Sequence, residues 1–247
     1  MKDKSYVPPR LRRGGKEVRA LSFYLEPSLL AADPGRLAEQ MAQAERGGAD
    51  LWHFDVMDGH FVPNLSFGPH ICEGLAAHTT LPLDVHLMVE HPSMFVRPFL
   101  AAGAASVTVH VETGTIDELI GLLKQIRGGG KPAAVALRPK TPVESVRPFL
   151  PWIDRVLLMA VEPGFGGQKL LPGVFDRVRA MRDLLDRERP ALSMPIQVDG
   201  GVNLDNAEDL VAAGASYLIA GNDVFGAEDI EARCREYAEL RASPPKK

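Results

Sequence analysis

Two short segments concentrate the side chains that could do chemistry. Residues 53–64 read HFDVMDGHFVPN, with His53, Asp55 and Met57 at alternate positions. The segment DVHLM repeats this alternation around His86. Successive side chains of a β-strand point to opposite faces, so alternate residues share one face. Each segment therefore predicts a strand that turns ionisable groups to a single side.

These groups predict a metal site. Asp199, in the segment QVDGG, adds a second carboxylate to that of Asp55 and to the imidazoles of His53 and His86. Two nitrogen and two oxygen ligands suit a divalent ion such as Zn²⁺, Mn²⁺, Fe²⁺ or Co²⁺. Taken singly, each histidine is more simply interpreted as an ordinary core residue. If four such groups were buried together without a cation, their carboxylates would carry uncompensated charge at a high cost in free energy. The set as a whole therefore favours the metal interpretation.

Glycine-rich segments predict a second kind of site, for an anion. They are VEPGFGGQ at 161–168, DGG at 199–201 and AGN at 220–222. Glycine lets backbone N–H groups gather round an anion, although it also serves ordinary tight turns. Lys169 is the one basic residue beside these segments. The anion would then be held mainly by backbone N–H groups and helix N-termini.

Three methionines fall at the same ends of predicted strands. Met57, Met88 and Met159 are either core residues or an apolar lining around reacting carbon atoms. Their spacing does not decide between these two interpretations.

Eight strand-like runs alternate with eight helical patterns and must position these groups. The runs are LEPSLL, LWHFDV, LPLDVHLM, SVTVHV, AAVALRP, DRVLLMAV, MPIQVD and SYLIAG. The helical patterns begin near Pro34, Gly68, Pro92, Ile116, Val143, Gly173, Leu204 and Glu228. This order predicts an α/β protein with the (β/α)₈ TIM barrel fold, in which active groups lie at the C-terminal strand ends. A doubly wound open sheet is the alternative, but PSLLAADPG lacks its glycine fingerprint.

Composition places the barrel in a single domain over residues 21–241, with a disordered tail at 242–247. Residues 1–20 carry seven basic and two acidic side chains and predict a short disordered basic arm, which we interpret as solvated. The body is acidic, so no nucleic-acid partner is expected. Neither a membrane-spanning run nor a secretory signal is recognisable, and two cysteines form no metal spacing, so we expect a cytoplasmic protein.

Ordered motifs over roughly residues 24–240 resemble those of the ribulose-phosphate 3-epimerase family. They are PSLLAAD, WHFDVMDGHFVPN, LDVHLMVEHP, VTVHVE, MAVEPGFGGQ, QVDGGVN and AGNDVF. The resemblance implies metal-dependent epimerisation at C3 of a ketose phosphate, interconverting D-ribulose 5-phosphate and D-xylulose 5-phosphate in the pentose phosphate pathway. It implies one divalent ion, with Zn²⁺ preferred, and a small phosphosugar as partner. We also expect a homo-oligomer.

The resemblance also assigns roles to residues. His53, Asp55, His86 and Asp199 become the metal ligands, and Asp55 and Asp199 the acid/base pair that works through an enediolate. The substrate-binding residues are Ser28, His86, Met57, Met88 and Met159. The phosphate-binding residues are Gly164, Phe165, Gly166, Gly167, Gly200, Gly201, Gly221 and Asn222.

Two departures from the family pattern and two rival functions stay open at this point. Arg138 stands where many members have asparagine, and Asn222 stands where serine is usual. The rivals are a D-allulose-6-phosphate 3-epimerase and a catalytically silent phosphosugar-binding barrel. The sequences DGG and PGFGGQ favour the pentose, because allulose-phosphate relatives tend to read DGS and PGFAGQ. A silent barrel would not need both aspartates.

Overall fold

The computed structural model describes residues 21–243 and places eight parallel strands in one sheet. The strands are β1 (Tyr24–Pro27), β2 (Trp52–Met57), β3 (Leu83–Met88), β4 (Ser106–His110), β5 (Ala133–Leu137), β6 (Arg155–Met159), β7 (Ile196–Asp199) and β8 (Tyr217–Ala220). Each predicted strand-like run overlaps one of them. Runs of β-branched and apolar residues form such strands because both faces of a parallel sheet are buried.

The sheet curls into a nearly closed barrel. Its strand order is β1-β8-β7-β6-β5-β4-β3-β2, so each strand from β2 to β7 pairs with the next in sequence and β8 pairs with β1. Between β1 and β2 the gap is closed by one parallel bridge, from Ser28 to His53. The predicted (β/α)₈ barrel is confirmed.

Helices follow the strands and cover the outside of the barrel. The α-helices are α1 (Leu37–Gly47), α2 (Pro69–Ala76), α3 (Val96–Ala101), α4 (Ile116–Gly128), α5 (Val174–Glu188), α6 (Leu204–Ala213), α7 (Asn222–Phe225) and α8 (Ile230–Ala242). The segment after β5 differs from the rest, because Val143–Phe149 forms a 3₁₀ helix instead of an α-helix. Pro148 lies inside it and has no N–H for an α-helical hydrogen bond.

Buried polar residues of the strands share the face that looks into the barrel. They are Glu26, His53, Asp55, Asp84, His86, Ser106, Thr108, His110, Arg155, Gln197 and Asp199. The opposite faces of the same strands are apolar and pack beneath the helices. The interior also contains an apolar cluster that includes Ala136 of β5, Leu157 of β6 and Ile219 of β8. The strand alternation thus collects ionisable groups inside the barrel.

Both predicted terminal segments fall largely outside the described residues. The whole arm at 1–20 does so, and so do residues 244–247 of the tail. Helix α8 continues to Ala242, the first residue assigned to that tail. Among the described residues, no helix is long and apolar enough to cross a membrane.

Candidate active site

The four predicted metal ligands converge at the C-terminal end of the barrel. In the parallel pairing of β2 with β3, Asp55 lies beside His86, and His53 stands two residues earlier on the same face. Asp199 is the last residue of β7, which is separated from β1 by β8 in the barrel. All four residues are buried, and one ligand atom of each lies within 4.8 Å of the others.

The spacing of these atoms fits a tetrahedral divalent ion. His53 Nε2, His86 Nδ1 and Asp55 Oδ1 are each 3.2 Å from the other two. Asp199 Oδ2 lies 3.7 Å from both ring nitrogens. An ion with bonds of about 2.0–2.1 Å sets its ligands about 3.3–3.4 Å apart. The cluster can therefore hold a metal ion, with two nitrogen and two oxygen donors already aimed at one point.

The two aspartates have opposite protonation tendencies. Burial favours the neutral form of Asp55, but the charge and hydrogen bond of His53, together with His86, hold its pKa well below the usual range. Burial raises the pKa of Asp199 to about 6, and the negative charge of Asp55 adds to the effect. Carboxyl groups whose environments separate their pKa values in this way are suited to act as base and acid.

Besides Asp55, which lies near its Nε2, His53 contacts the acidic side chain of Glu26 through its other ring nitrogen. Its Nδ1 lies 3.3 Å from Glu26 Oε1, and both side chains are fully buried. Burial raises the pKa of Glu26 to about 7, and the nearby charge of Asp84 adds to the increase. Glu26, His53 and Asp84 form a second group with metal-like spacing. In that group the charge of Asp84 is already balanced, because the Arg155 guanidinium forms an ion pair with it.

His86 is held by a different set of partners. Its Nε2 lies 3.0 Å from His110 Nε2, and the two rings stack with centroids 5.0 Å apart. On the far side, His110 Nδ1 lies 3.0 Å from Glu112 Oε2. Burial lowers the pKa of His110 to about 4, so its imidazole is neutral at ordinary pH.

A cavity of about 540 Å³ opens above the cluster. Asp55 and Asp199 lie on its wall, whereas His53 and His86 are behind them and outside the lining. Ser28, also on the wall, donates a hydrogen bond of 2.6 Å from Oγ to Asp55 Oδ2. Of the other predicted substrate-binding residues, Met57, Met88 and Met159 line this same cavity, whereas His86 does not.

A further part of the cavity wall is built from the three glycine-rich loops, and we call it the glycine wall. All predicted phosphate-binding residues line it: Gly164, Phe165, Gly166, Gly167, Gly200, Gly201, Gly221 and Asn222. Gly201 has a φ of 68°, and a Cβ there would lie 2.5 Å from the backbone nitrogen of Leu170. Only glycine allows the loops after β6 and β7 to approach so closely.

Hydrogen bonds from two side chains hold the loop after β6 in place. Gln168 Nε2 donates to the carbonyl oxygens of Glu162 and Phe165, at 2.7 and 2.9 Å. Asn64 Nδ2 donates 2.7 Å to the carbonyl of Gly164 and so ties the loop after β2 to the loop after β6. Among the described residues that line the cavity, Lys169 is the one cation.

Arg138 lies away from this wall. Its Nη2 donates 2.6 Å to the carbonyl of Phe61, and its guanidinium lies 4.0 Å from the centre of the Phe61 ring. Arg138 does not line the cavity. It secures the loop after β2 instead of adding a positive charge to the glycine wall.

Sequence reasoning missed the partners that support the ligands. Glu26, His110, Glu112 and Gln197 received no role, although three of them carried a usable signal. Glu26 is two residues before Ser28, and Gln197 two before Asp199, so alternation places both on the inward face. His110 is the last residue of β4, as the predicted ligand Asp199 is of β7. Glu112 follows β4 in a turn, where alternation gives no guidance.

The fold and these residues define an α/β-barrel enzyme with its active groups at the C-terminal strand ends. The sequence model described as the Ribulose-phosphate 3 epimerase family matches residues 24–225. The chain is 46% identical over 210 residues to ribulose-phosphate 3-epimerase 1 of Cupriavidus necator, covering 84% of this chain and 86% of that one. It is 43% identical over 205 residues to the ribulose-phosphate 3-epimerase of Mycobacterium tuberculosis, covering 83% and 87%.

The chain therefore belongs to the ribulose-phosphate 3-epimerase family and is an isomerase of the epimerase type. Among solved structures, a 3-hexulose-6-phosphate synthase has a TM-score of 0.66 at 19% identity, with 89% of this chain and 99% of that one covered. At that identity the likeness concerns the fold alone.

Proposed function

We propose that the protein interconverts D-ribulose 5-phosphate and D-xylulose 5-phosphate by metal-dependent epimerisation at C3. The observation that carries this proposal is that Asp55 and Asp199, which belong to a cluster of four candidate ligands, line the same cavity as three glycine-rich loops. A reacting carbon beside the aspartates and a phosphate at the loops fit one small molecule. The names of the relatives support the same substrates.

His53, Asp55, His86 and Asp199 are the residues that would hold the ion. The chemistry that a bound divalent ion supplies is stabilisation of the negative charge that develops on the sugar oxygens. No change of oxidation state is needed, so Zn²⁺ is the preferred ion, with Fe²⁺, Mn²⁺ and Co²⁺ as alternatives.

The two aspartates move the proton. One carboxylate removes the proton from C3, next to the C2 carbonyl, and leaves an enediolate. The other carboxyl group, in its protonated form, returns a proton to the opposite face of the same carbon. Asp55 has a lowered pKa and Asp199 a raised one, so Asp199 takes up a proton more readily than Asp55, as this division requires in one direction of the reaction. In the reverse direction their roles exchange.

Other residues of the cavity position the sugar. Backbone N–H groups of the loops after β6, β7 and β8 would bind the phosphate, with Phe165 and Asn222 at their edge. Met57, Met88 and Met159 would give the reacting carbons an apolar, water-poor surface. Ser28 would contact substrate while it orients Asp55 through its hydrogen bond.

The proposal is tested by assaying purified protein on D-ribulose 5-phosphate, D-allulose 6-phosphate and unphosphorylated D-ribulose, with the metal content measured in parallel. We expect about one divalent ion per chain, loss of activity on chelation, and recovery when metal is restored. The pentose phosphate should be the best substrate, because binding energy from its phosphate supports the chemical step. Asp55→Asn and Asp199→Asn should be inactive, and the exposed Asp176→Asn serves as the matched control.

Different results would point to different corrections. A higher kcat/KM with the hexose phosphate would identify an allulose-6-phosphate epimerase. Binding of phosphosugar without turnover of any substrate would identify a silent barrel. Full activity in protein verified to contain no metal would contradict the metal-dependent mechanism.

A further inference from the structure

We infer that Arg233 is a positioning residue for the phosphate end of the cavity, because together with Tyr237 it holds the carboxylate of Asp223 on α8 and away from a bound phosphate. The inference rests on the proposed function, which places the phosphate at the glycine wall. It makes phosphate affinity depend on side chains of α8, which lies outside the glycine-rich segments.

Asp223 brings a negative charge close to the predicted phosphate site. It follows Asn222 directly in the chain, and both residues line the cavity together with Gly221. A phosphate group on a sugar carries a charge of about −1.5 to −2 at pH 7. A carboxylate that was free to turn towards this anion would weaken its binding, since like charges brought together in one site repel each other.

Two side chains of α8 hold the two oxygens of this carboxylate. Arg233 Nη1 lies 2.8 Å from Asp223 Oδ1 and forms an ion pair with it. The Tyr237 hydroxyl donates a hydrogen bond of 2.7 Å to Asp223 Oδ2. Tyr237 is completely buried, and the side chain of Asp223 is only 16% exposed. The carboxylate is therefore oriented towards α8, and the guanidinium balances its charge.

Helix α8 supports these two partners firmly because it packs closely on α1. A Cβ added to Gly47 of α1 would lie 2.4 Å from the carbonyl oxygen of Glu231 and 2.6 Å from Cys234 Cβ. Cys234 is also completely buried. Arg233 lies between these two residues in the chain, so its backbone is fixed by the contact of the two helices.

The ion pair decides the charge at this end of the cavity. Among the described residues that line the cavity, the charged ones outside the ligand cluster are Lys169 and Asp223. With Arg233 in place, the charge of Asp223 is balanced, and the positive charge of Lys169 is left to attract the phosphate. Without Arg233, the carboxylate would offset the charge of Lys169.

The experiment compares Arg233→Met, Tyr237→Phe and the double variant Asp223→Asn/Arg233→Met. Arg233 Nε also lies 3.0 Å from Glu236 Oε2, so Glu236→Gln is the matched control that breaks this contact and leaves Asp223 paired. The readouts are the dissociation constant for inorganic phosphate, measured by calorimetry on the protein as purified, and kcat and KM for D-ribulose 5-phosphate. Urea unfolding checks that each variant is folded.

Arg233→Met should raise the phosphate dissociation constant and KM about tenfold, because an unbalanced carboxylate then lies near the anion in a site partly open to solvent. The change should appear in KM more than in kcat, since this repulsion acts equally on the bound substrate and the transition state. It should shrink at high salt. The double variant should recover most of the affinity, because its residue 223 carries no charge. Tyr237→Phe should give a smaller increase, and Glu236→Gln should resemble the wild type.

Two results would overturn the inference. One is a folded Arg233→Met variant that binds phosphate as tightly as the wild type. The other is a double variant that binds phosphate as weakly as Arg233→Met, because Arg233 would then act through the shape of the loop after β8 and not through the charge of Asp223. If Arg233→Met does not fold, Arg233→Gln replaces it in both the single and the double variant.

The same measurements separate this inference from the proposed function. Wild-type protein that bound phosphate but turned over no sugar would contradict the proposed function alone, and the phosphate affinities of the variants would still decide on Arg233. Wild-type protein that bound no phosphate would overturn both.

Discussion

Asp55 and Asp199 occupy one cluster but differ in what surrounds them. Asp55 accepts a hydrogen bond from Ser28 and faces both ligand histidines, whereas the described contacts of Asp199 with those histidines are longer, at 3.7 Å. The shorter contacts hold Asp55 ionised, and the weaker ones leave Asp199 with a pKa near 6, raised by burial and by the charge of Asp55. The asymmetry between the two carboxyl groups that the proposed proton transfer would need is therefore present in the protein without substrate.

The two-aspartate mechanism predicts where solvent hydrogen enters the product. The donating carboxyl group exchanges its proton with water before turnover, and it is not the group that removes the C3 proton. In deuterated water, product formed at low conversion should therefore carry deuterium at C3, while remaining substrate carries much less. Mass or NMR analysis of both sugars measures this. Substantial retention of the original hydrogen in the product would indicate a single base that removes the C3 proton and returns the same proton to the other face of that carbon.

Glu112 predicts a pH dependence of stability. Burial favours its neutral form, but the hydrogen bond from His110 outweighs this and lowers its pKa from 4.5 to about 2. As pH falls below 4.5 the unfolded chain binds the proton first, so the stabilisation is complete above that pH and is lost as pH approaches 2. Urea unfolding of metal-free protein should show Glu112→Gln to be less stable at pH 6, with the difference shrinking towards pH 2.5.

The control for this prediction is Glu73→Gln, which changes an exposed side chain of α2. It should stay parallel to the wild type over the whole pH range. A Glu112→Gln variant that also stayed parallel would mean that the carboxylate of Glu112 is not held ionised by His110.

Residue alternation predicted that the four candidate ligand side chains lie together, as the structure shows, but it did not predict their partners. A strand pattern shows that His53 and Asp55 share a face, and the barrel topology brings β2, β3 and β7 to a common end. It does not show that a neighbouring ring will meet His86 Nε2, because that contact depends on side-chain rotamers and on the tilt of β4 against β3. The roles of the site residues in binding and catalysis stay predictions until they are measured.

At the scale of the elements, the glycine-rich loops are shaped by backbone that other residues cannot adopt. Gly200 and Gly201 both have positive φ angles, of 106° and 68°. A Cβ on Gly200 would lie 2.3 Å from Val161 Cγ2, and one on Gly201 would meet the backbone of residues 168–170. The loop after β7 is thus packed against the loop after β6, and the shape of one depends on the other.

Gly201→Ala should damage catalysis through this packing. The new methyl group would displace the loop after β6, and a displacement of about 1 Å at a positioning group can cost about a hundredfold in rate. The matched control is Gly173→Ala, where φ is also positive at 81° but a Cβ meets nothing within 4 Å. That control should lose about 1–2 kcal/mol from backbone strain alone and keep its activity. Steady-state kinetics and urea unfolding of both variants provide the comparison.

If Gly201→Ala retained wild-type kcat/KM for the phosphosugar, the loop after β7 would not help to shape the binding site. If both variants lost activity equally, strain at positive φ would be the cause, and contact with residues 168–170 would not.

The sequence predicted the existence and order of the elements better than their detail. Buried strands produce apolar, β-branched runs, and eight of these runs led directly to the barrel. The 3₁₀ form of Val143–Phe149 was not predicted, because its apolar spacing resembles that of an α-helix and only Pro148 argues against it. The extra short helix α7 was missed for a similar reason, since four residues are too few to show periodicity.

At the scale of the whole molecule, a layer of buried charged and polar side chains lies inside the barrel beneath the active site. Arg155 pairs with Asp84 and donates 2.8 Å to Ser106 Oγ, and Gln197 Nε2 donates 2.8 Å to both Asp84 and Glu26. Burial would favour neutral Asp84, but the charge of Arg155 holds its pKa below the usual range. These residues come from β1, β3, β4, β6 and β7, so the layer links most of the barrel. The oligomeric state and the cytoplasmic location stay predictions.

Arg155→Met should therefore lower the stability of the whole barrel. Removing the guanidinium leaves Asp84 buried without its cation, which typically costs about 3–5 kcal/mol. The double variant Asp84→Asn/Arg155→Met should lose less than the sum of its single variants, because it leaves no uncompensated carboxylate at that position. Arg179→Met is the matched control, since it breaks an exposed ion pair with Asp176 that should contribute about 0–1 kcal/mol. Urea unfolding of the metal-free proteins measures all four. Two results would show that Arg155 fills space in the barrel without balancing the charge of Asp84. One is an Arg155→Met variant as stable as Arg179→Met. The other is a double variant whose loss of unfolding free energy equals the sum of the losses in the two single variants.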